Sequence, residues 1–211
     1  MTDSITETDS YFYEPRRGHG LAHDPIGSIV APRPIGWIST HDGAGHNNLA
    51  PYSFFNLLNY RPPIIGFASS GRKDTLRNAQ RSGDFVCNLV TRALAERMNA
   101  TSATVDAGVD EFALAGLTAA SSVTTRAPRV AESPINLECR VCRILRLCDA
   151  RGTAIPSWLV IGEVVGVHIA RHLLRDRAYV TTAAHPVVRG GGRTDYFEIG
   201  ADTLFRLIQP E

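Results

Sequence analysis

Lysine is almost missing from this chain. Of its 22 basic residues one is lysine, at position 73, and the others are arginine. Against that background Lys73 marks a place where a compact ammonium serves better than a planar guanidinium. A lone lysine left by chance is the plain alternative. A charge excess is missing too, since 22 basic and 21 acidic residues leave +1. No basic balance therefore points to nucleic acid or an anionic membrane. Long apolar runs are absent. The longest, Trp158 to Ala170, contains Glu163 and His168 and is too short to cross a bilayer. The opening MTDSITETDS is polar and acidic and lacks the layout of a signal peptide, so the expected location is cytoplasmic.

Cysteine is scarce. The four are Cys87, Cys139, Cys142 and Cys148, expected as buried thiols rather than disulfides in a cytoplasmic chain. Cys139 and Cys142 form a single C-x-x-C within ECRVCRILRL, which alternates like a strand. An offset of three puts the two side chains on opposite faces, which argues against a zinc or redox pair. Nucleotide fingerprints are lacking as well. There is no G-x-x-x-x-G-K-[ST], and Gly18-His19-Gly20 and Gly43-Ala44-Gly45 begin like G-x-G without a third glycine or a βαβ setting. No G-x-S-x-G elbow, carboxylate couple or H-E-x-x-H is present. His19 and His23 are separated by Gly20 and followed by Pro25, so they do not share a helix. His168 and His172 straddle a strand end. No metal site is expected.

What is present is enough to fold. The chain has 211 residues, a mass of 22.9 kDa and 44% hydrophobic residues. Surface scaling for that mass gives a folded area near ~9,600 Å², with roughly 70% of the extended chain's surface buried. Residues 1–20 read as a disordered tip followed by an aromatic arm, Tyr11 to Tyr13, and 21–211 read as the folded domain. IGSIV (26–30) and IGWIST (35–40) read as strands. Residues 49–55 read as extended but irregular because of Pro51. PPIIGFASS (62–70) is a strand, followed by a helix from Asp74 or Thr75 to Arg81, ended by Gly83. Residues 85–90 form a strand, 92–100 a helix and 110–115 a helical turn. The longest strands are 134–147 and 158–169, and short ones are expected near 187, 196–199 and 204–207. The absence of βαβ alternation argues against a doubly wound sheet. The expected fold is mainly β with inserted helices, an antiparallel barrel.

Three constellations carry possible chemistry. Ser69-Ser70-Gly71-Arg72-Lys73-Asp74-Thr75 lies where a strand passes into a helix. Free N–H groups, hydroxyls and two cations there suit a monoester phosphate; a capped helix with solvated charges is the alternative. Trp37-Ile38-Ser39-Thr40 and Asn48-Leu49-Ala50-Pro51-Tyr52-Ser53-Phe54 offer the apolar area and backbone donors that a flat heteroaromatic ligand needs, or else core aromatics near a turn. His185, four residues before Arg189, leads into Gly190-Gly191-Gly192, which is either an anion nest or a flexible turn.

Taken in order, FYEP…GHGLAHDP (12–25), VAPRPIGWIST (30–40), NLAPYSFFN (48–56), KDTLRN (73–78), SGDFVCNL (82–89), DEFALAGL (110–117), PRVAESPINLEC (128–139), VIGEVVGVHI (160–169) and HPVVRGGG…YF (185–197) resemble the FMN-binding split-barrel proteins of the flavin reductase-like family. The resemblance implies a homodimer of six-stranded antiparallel, Greek-key type barrels. It implies FMN bound without a covalent bond near the dimer interface, with FAD used by some members and NADH or NADPH as hydride donor. Trp37, Ile38, Ser39, Thr40, Asn48, Leu49, Ala50, Tyr52, Ser53 and Phe54 would hold the ring and ribityl chain. Ser69, Ser70, Arg72, Lys73, Asp74 and Thr75 would hold the phosphate, and His185 and Arg189 would come close to the flavin. The family's usual Glu before Phe85 is Asp84 here, and residues 192–195 lengthen the stretch before Tyr196. The implied activity is NAD(P)H-dependent flavin reduction, with the reductase component of a two-component monooxygenase as one form of it and a non-catalytic FMN carrier or sensor as the alternative. Such chemistry needs no protein acid or base, so binding residues are named and no catalytic group.

Overall fold

The computed structural model describes residues 10–106, 108–192, 194–208 and 210. The tip expected to be disordered falls on residues 1–9, outside the described residues. Residues 10–20 touch the body through Arg16, which pairs with Asp149 at 3.1 Å; within that stretch the Tyr11 hydroxyl donates to the His19 carbonyl at 2.9 Å, and Tyr11 and Phe12 remain exposed.

The helices are α1 (Ile26–Ile29), α2 (Asp74–Ser82), α3 (Ala95–Ala100) and α4 (Glu111–Leu114). The early strands are β1 (Arg33–Pro34), β2 (Gly36–His41), β3 (Asn47–Tyr52), β4 (Phe55–Tyr60), β5 (Pro63–Ser70) and β6 (Asp84–Asn88). The two-residue pair β7 (Ala119–Ala120) and β8 (Arg129–Val130) precedes the long hairpin of β9 (Ile135–Cys148) and β10 (Ala154–Ile169). The chain ends with β11 (Leu174–Arg175), β12 (Ala178–Tyr179), β13 (Val187–Arg189) and β14 (Tyr196–Glu198). No helix among the described residues is long and apolar enough to cross a membrane.

Seven strands form one antiparallel sheet in the order β3-β2-β6-β9-β10-β5-β4. Its two end strands, β3 and β4, are consecutive in the chain and separated only by Ser53 and Phe54. One bent stretch, 47–60, thus serves both ends and closes the sheet covalently. Counted by chain segment, the barrel has six staves. Its interior holds Ile38, Tyr52, Ile65, Phe67, Phe85, Cys139 and Val160. Tyr52 and Phe67 ring centroids are 4.8 Å apart, so β3 and β5 meet through side chains. Since β5 and β6 are not neighbours in the sheet, the chain between them must cross the barrel end, and α2 makes that crossing. Leu76 and Ala79 on its inner face join the barrel core. A second core of Trp37, Leu49, Val90, Met98, Phe112 and Val130 lies outside the wall, beneath α3 and α4. Strand β13 pairs with β1 on one side and β14 on the other.

Several expectations need correction. Residues 26–29 form a helical turn rather than a strand: Asp24 Oδ1 accepts the Ile26 N–H at 3.0 Å, and Pro25 is preset for helix entry, which overrides the β-branched residues. Residues 47–52 are a regular strand despite Pro51, because β3 is an end strand where a missing donor is tolerated. Strand β4 was not expected; FNLLNY shows no alternation because five of its six residues are exposed. Residues 204–207 form no strand and are exposed. Of the free cysteines, Cys87 and Cys139 are buried while Cys142 and Cys148 are exposed. Cys139 and Cys142 do face opposite sides of β9, and burial pushes the Cys87 thiol up to about 12.

Candidate functional site

The candidate site begins where β5 hands over to α2. The N–H of Gly71, at φ +87°, donates to Pro156 O at 2.8 Å and turns the chain out of the sheet. Lys73 occupies the N-cap position in an extended conformation and no side chain caps the helix. The first-turn N–H groups of α2 are therefore left for water or a ligand. Lys73 is exposed, and among the described residues no carboxylate pairs with it. The Asp74 carboxylate is turned back onto the Arg77 guanidinium.

Beneath this mouth lies a layer of buried polar side chains. Asn48 donates to Thr75 Oγ1 at 2.8 Å, and Asn78 donates to Thr40 Oγ1 at 3.2 Å. Ser69 Oγ donates to the Gly71 carbonyl at 3.0 Å. The Tyr52 hydroxyl is buried beside the Ser69 and Thr75 hydroxyls, and burial pushes its pKa up against the opposing pull of those two neighbours. Leu49 N–H donates to Glu111 Oε2 at 3.1 Å, and burial raises that carboxyl above its usual range.

Thr40, Asn48, Tyr52, Ser69 and Thr75 are thus brought together. Asn78 belongs with them and was not singled out in the sequence. Its spacing of three from Thr75 on a predicted helix was the available signal. Ser70, Arg72 and Lys73 are exposed around the mouth, with Asp74 half-buried. Trp37, Ile38, Ser39 and Leu49 are fully buried. Trp37 donates its indole N–H to Thr101 Oγ1 at 2.9 Å, and Ser39 donates to the Pro128 carbonyl. Within one protomer these four form wall and core, not surface, and Ala50 is half-buried beside them. Ser53 and Phe54 sit at the bend between β3 and β4, where Phe54 is exposed and Arg33 stands 5.8 Å from its ring.

His185 and Arg189 lie elsewhere on the same chain. Arg33 pairs in register with Arg189 across β1 and β13, which brings the Arg189 end toward the bend. Arg189 donates to Asp195 O at 2.7 Å and Gly192 O at 3.0 Å and lies 4.8 Å from the Tyr196 ring. The glycine loop is therefore folded onto Arg189, and the Gly190 and Gly192 N–H groups are engaged by Asp195 O and Ser28 Oγ. His185 has φ +47° and its Nδ1 is 2.6 Å from Glu198 Oε1. It borders a cleft of about 700 Å³ lined also by Arg92, Glu96 and His172. Asp84, at the position that departs from the family pattern, is buried and accepts Arg126 N–H at 3.1 Å.

A six-stave antiparallel barrel closed by a bent strand, with a helix across one end and a cationic mouth above it, defines a split-barrel protein. The family model of the flavin reductase like domain matches residues 29–186, and the chain belongs to that family. Among similar proteins, an uncharacterized protein of Halalkalibacterium halodurans is 38% identical over 88% of each chain. The structure of nitrilotriacetate monooxygenase component B from Bacillus cereus is 29% identical with a TM-score of 0.81, covering 97% of this chain and 98% of that one. A putative flavin reductase with a split barrel domain from Shewanella frigidimarina is 27% identical with a TM-score of 0.77, over 88% and 90% of the two chains.

Proposed function

We propose that this protein binds FMN non-covalently and reduces it with NADH or NADPH, with a second copy of the chain completing the site. The observation that carries this reading is the mouth at residues 69–75. It combines an uncapped helix N-terminus with an ammonium that has no carboxylate partner among the described residues. A phosphate monoester supplies acceptors for both. Lys73, Ser70, Arg72 and the first N–H groups of α2 hold the phosphate, with Ser69 and Thr75 shaping the floor. Thr40, Asn48 and Tyr52 line the way toward the ribityl chain, and the bend at Ser53 and Phe54 offers apolar area for the ring. Trp37, Ile38, Ser39, Leu49 and Ala50 keep that wall rigid. FAD is admitted by the same mouth.

Bound FMN supplies the hydride chemistry. The chain's share is to bind, orient and exclude water. His185 and Arg189 reach the flavin of the partner copy or seat the nicotinamide, in keeping with the open cleft beside His185. Similarity to a monooxygenase component B supports a role as the reductase half of a two-component monooxygenase. Anaerobic mixing of the flavin-loaded protein with NADH and with NADPH is the test, and the yellow colour should bleach with at least one. Colour that persists with both would leave a carrier or sensor in place of a reductase.

A further inference from the structure

Beside the mouth lies a feature of which the flavin reading uses Ser69 and Arg72 but not Trp158 or Arg146. Strand register places Trp158 of β10 opposite Ser69 of β5 on one side and Arg146 of β9 on the other. Ser69, Trp158 and Arg146 therefore form a row across three adjacent strands, extending ~10 Å from the α2 mouth at two strand spacings. The Arg146 guanidinium is 5.4 Å from the Trp158 ring centroid and the Arg72 guanidinium is 5.9 Å from it. Two cations sharing one indole repel each other, and among the described residues neither has a carboxylate partner. Arg16, Arg17 and Arg92, by contrast, each lie within 3.1 Å of a carboxylate. Arg146 uses Nε to reach the Ile155 carbonyl at 3.0 Å, and Arg72 makes one long contact of 3.4 Å to Gln80. Both guanidiniums keep N–H groups for an outside acceptor. A half-buried indole with two such forks over its ring puts aromatic area and anion donors side by side.

We infer that Arg72, Trp158 and Arg146 form a subsite for an adenine nucleotide moiety, the indole taking the base and the guanidiniums its phosphate. The inference rests on the flavin-phosphate reading of the neighbouring mouth and extends it. Two ligands carry that chemistry: FAD, through its own adenylyl half, and NADPH, through the 2′-phosphate of its adenosine. A bare FMN fills the mouth and leaves Trp158 and Arg146 to water.

Arg146 is exposed, so its replacement disturbs no core. The test compares wild type with Arg146→Ala and Arg146→Lys in two measurements. Flavin-free protein is titrated with FMN and with FAD by fluorescence, and FMN-loaded protein is reduced by NADH and by NADPH. If FAD is the source, the FAD-to-FMN affinity ratio falls about tenfold in Arg146→Ala, the loss of one charge-assisted contact. If NADPH is the source, its KM rises about tenfold relative to that of NADH. Arg146→Lys recovers part of either loss, because it restores the charge without the planar fork. If neither ratio moves in Arg146→Ala, the subsite is overturned while the flavin reading stands. If FMN weakens as much as FAD, Arg146 belongs to the flavin phosphate itself and the subsite is again overturned. A wild-type protein that takes up neither flavin refutes the flavin reading first and this inference with it.

Discussion

Lys73 is where scarcity in the sequence meets an uncapped helix start in the structure. Its ammonium stands at that start, and the adjacent Asp74 carboxylate is committed to Arg77. Lys73→Ala should weaken FMN by roughly ten- to a hundred-fold, the worth of a charge-assisted hydrogen bond. Riboflavin, which carries no phosphate, should be nearly unaffected, and calorimetric titration of both ligands distinguishes a phosphate role from a general effect on the fold. The burial of the Tyr52 hydroxyl beside Ser69 and Thr75, by contrast, was not legible, because it depends on three separate segments coming together. His185 was legible as a residue before proline, but not its left-handed backbone or its contact with Glu198. His185→Ala should leave FMN bound while slowing reduction. Stopped-flow bleaching of wild type and variant reads this, and unchanged rates would return His185 to a structural role. Glu138 is a different kind of buried charge. Burial pushes its carboxyl up, but hydrogen bonds from Thr124, His168 and the Val123 and Thr124 N–H groups prevail and hold it at about 2. A carboxyl lowered on folding stabilises the native state above its unfolded pKa, and that contribution is lost as pH falls toward the folded value. Stability should therefore drop as pH falls from ~4.5 toward 2. In Glu138→Gln this acid limb should flatten at lower overall stability, which urea titrations at each pH would register.

At the level of elements, the strands and helices with strong local signals were legible, and those set by context were not. Helix α2 has a start at Asp74 and a stop at Gly83, whose φ of +72° is the left-handed turn that glycine allows. The two long strands show sustained β-rich character. Strand β4 carries no such pattern, because it is the second half of a bent segment whose place is decided by β5 pairing alone. The turn at 26–29 went to a helix because Asp24 and Pro25 outweigh Ile and Val over so short a span. The polar mouth was legible as a motif, whereas the Ser69–Trp158–Arg146 row emerged only from strand register. Register also explains Gly162 on β10. A Cβ there would stand 2.5 Å from Phe85 Cε1 and 3.2 Å from the Arg140 carbonyl. Phe85 is fully buried and packs edge-on against Phe67 at 5.4 Å, so it has little room to give way. Gly162→Ala should destabilise the barrel by about 1–3 kcal/mol, as overpacking does. A lowered urea midpoint with unchanged slope would match; a midpoint equal to wild type would mean the wall yields at that point.

For the whole molecule, exposed apolar area is the feature that needs an explanation. Apolar side chains are exposed at the C-terminal end, where Phe205, Leu207 and Ile208 lie open, and also at the bend, where Phe54 is 59% exposed, Leu58 50% and Tyr60 81%. Strand β4 has one open edge, with nothing beside it on that side in the sheet order. Soluble proteins seldom leave such a patch beside an open strand edge uncovered, since both invite association. The proposed second copy meets both conditions if β4 and the bend lie in a two-fold interface, the commonest closed arrangement for soluble oligomers. Light scattering should then give twice the chain mass at micromolar concentration. Replacing Leu58 and Tyr60 together by Asp should yield a monomer, because charges placed in a desolvated interface are strongly disfavoured. Both side chains are exposed within one protomer, so the variant should keep its fold and its far-ultraviolet dichroism. If the site is completed by the partner, flavin affinity falls in that monomer although residues 69–75 are untouched. A monomer that binds FMN as tightly as wild type would show that one chain holds the whole flavin site, and a variant that stays dimeric would move the interface away from β4.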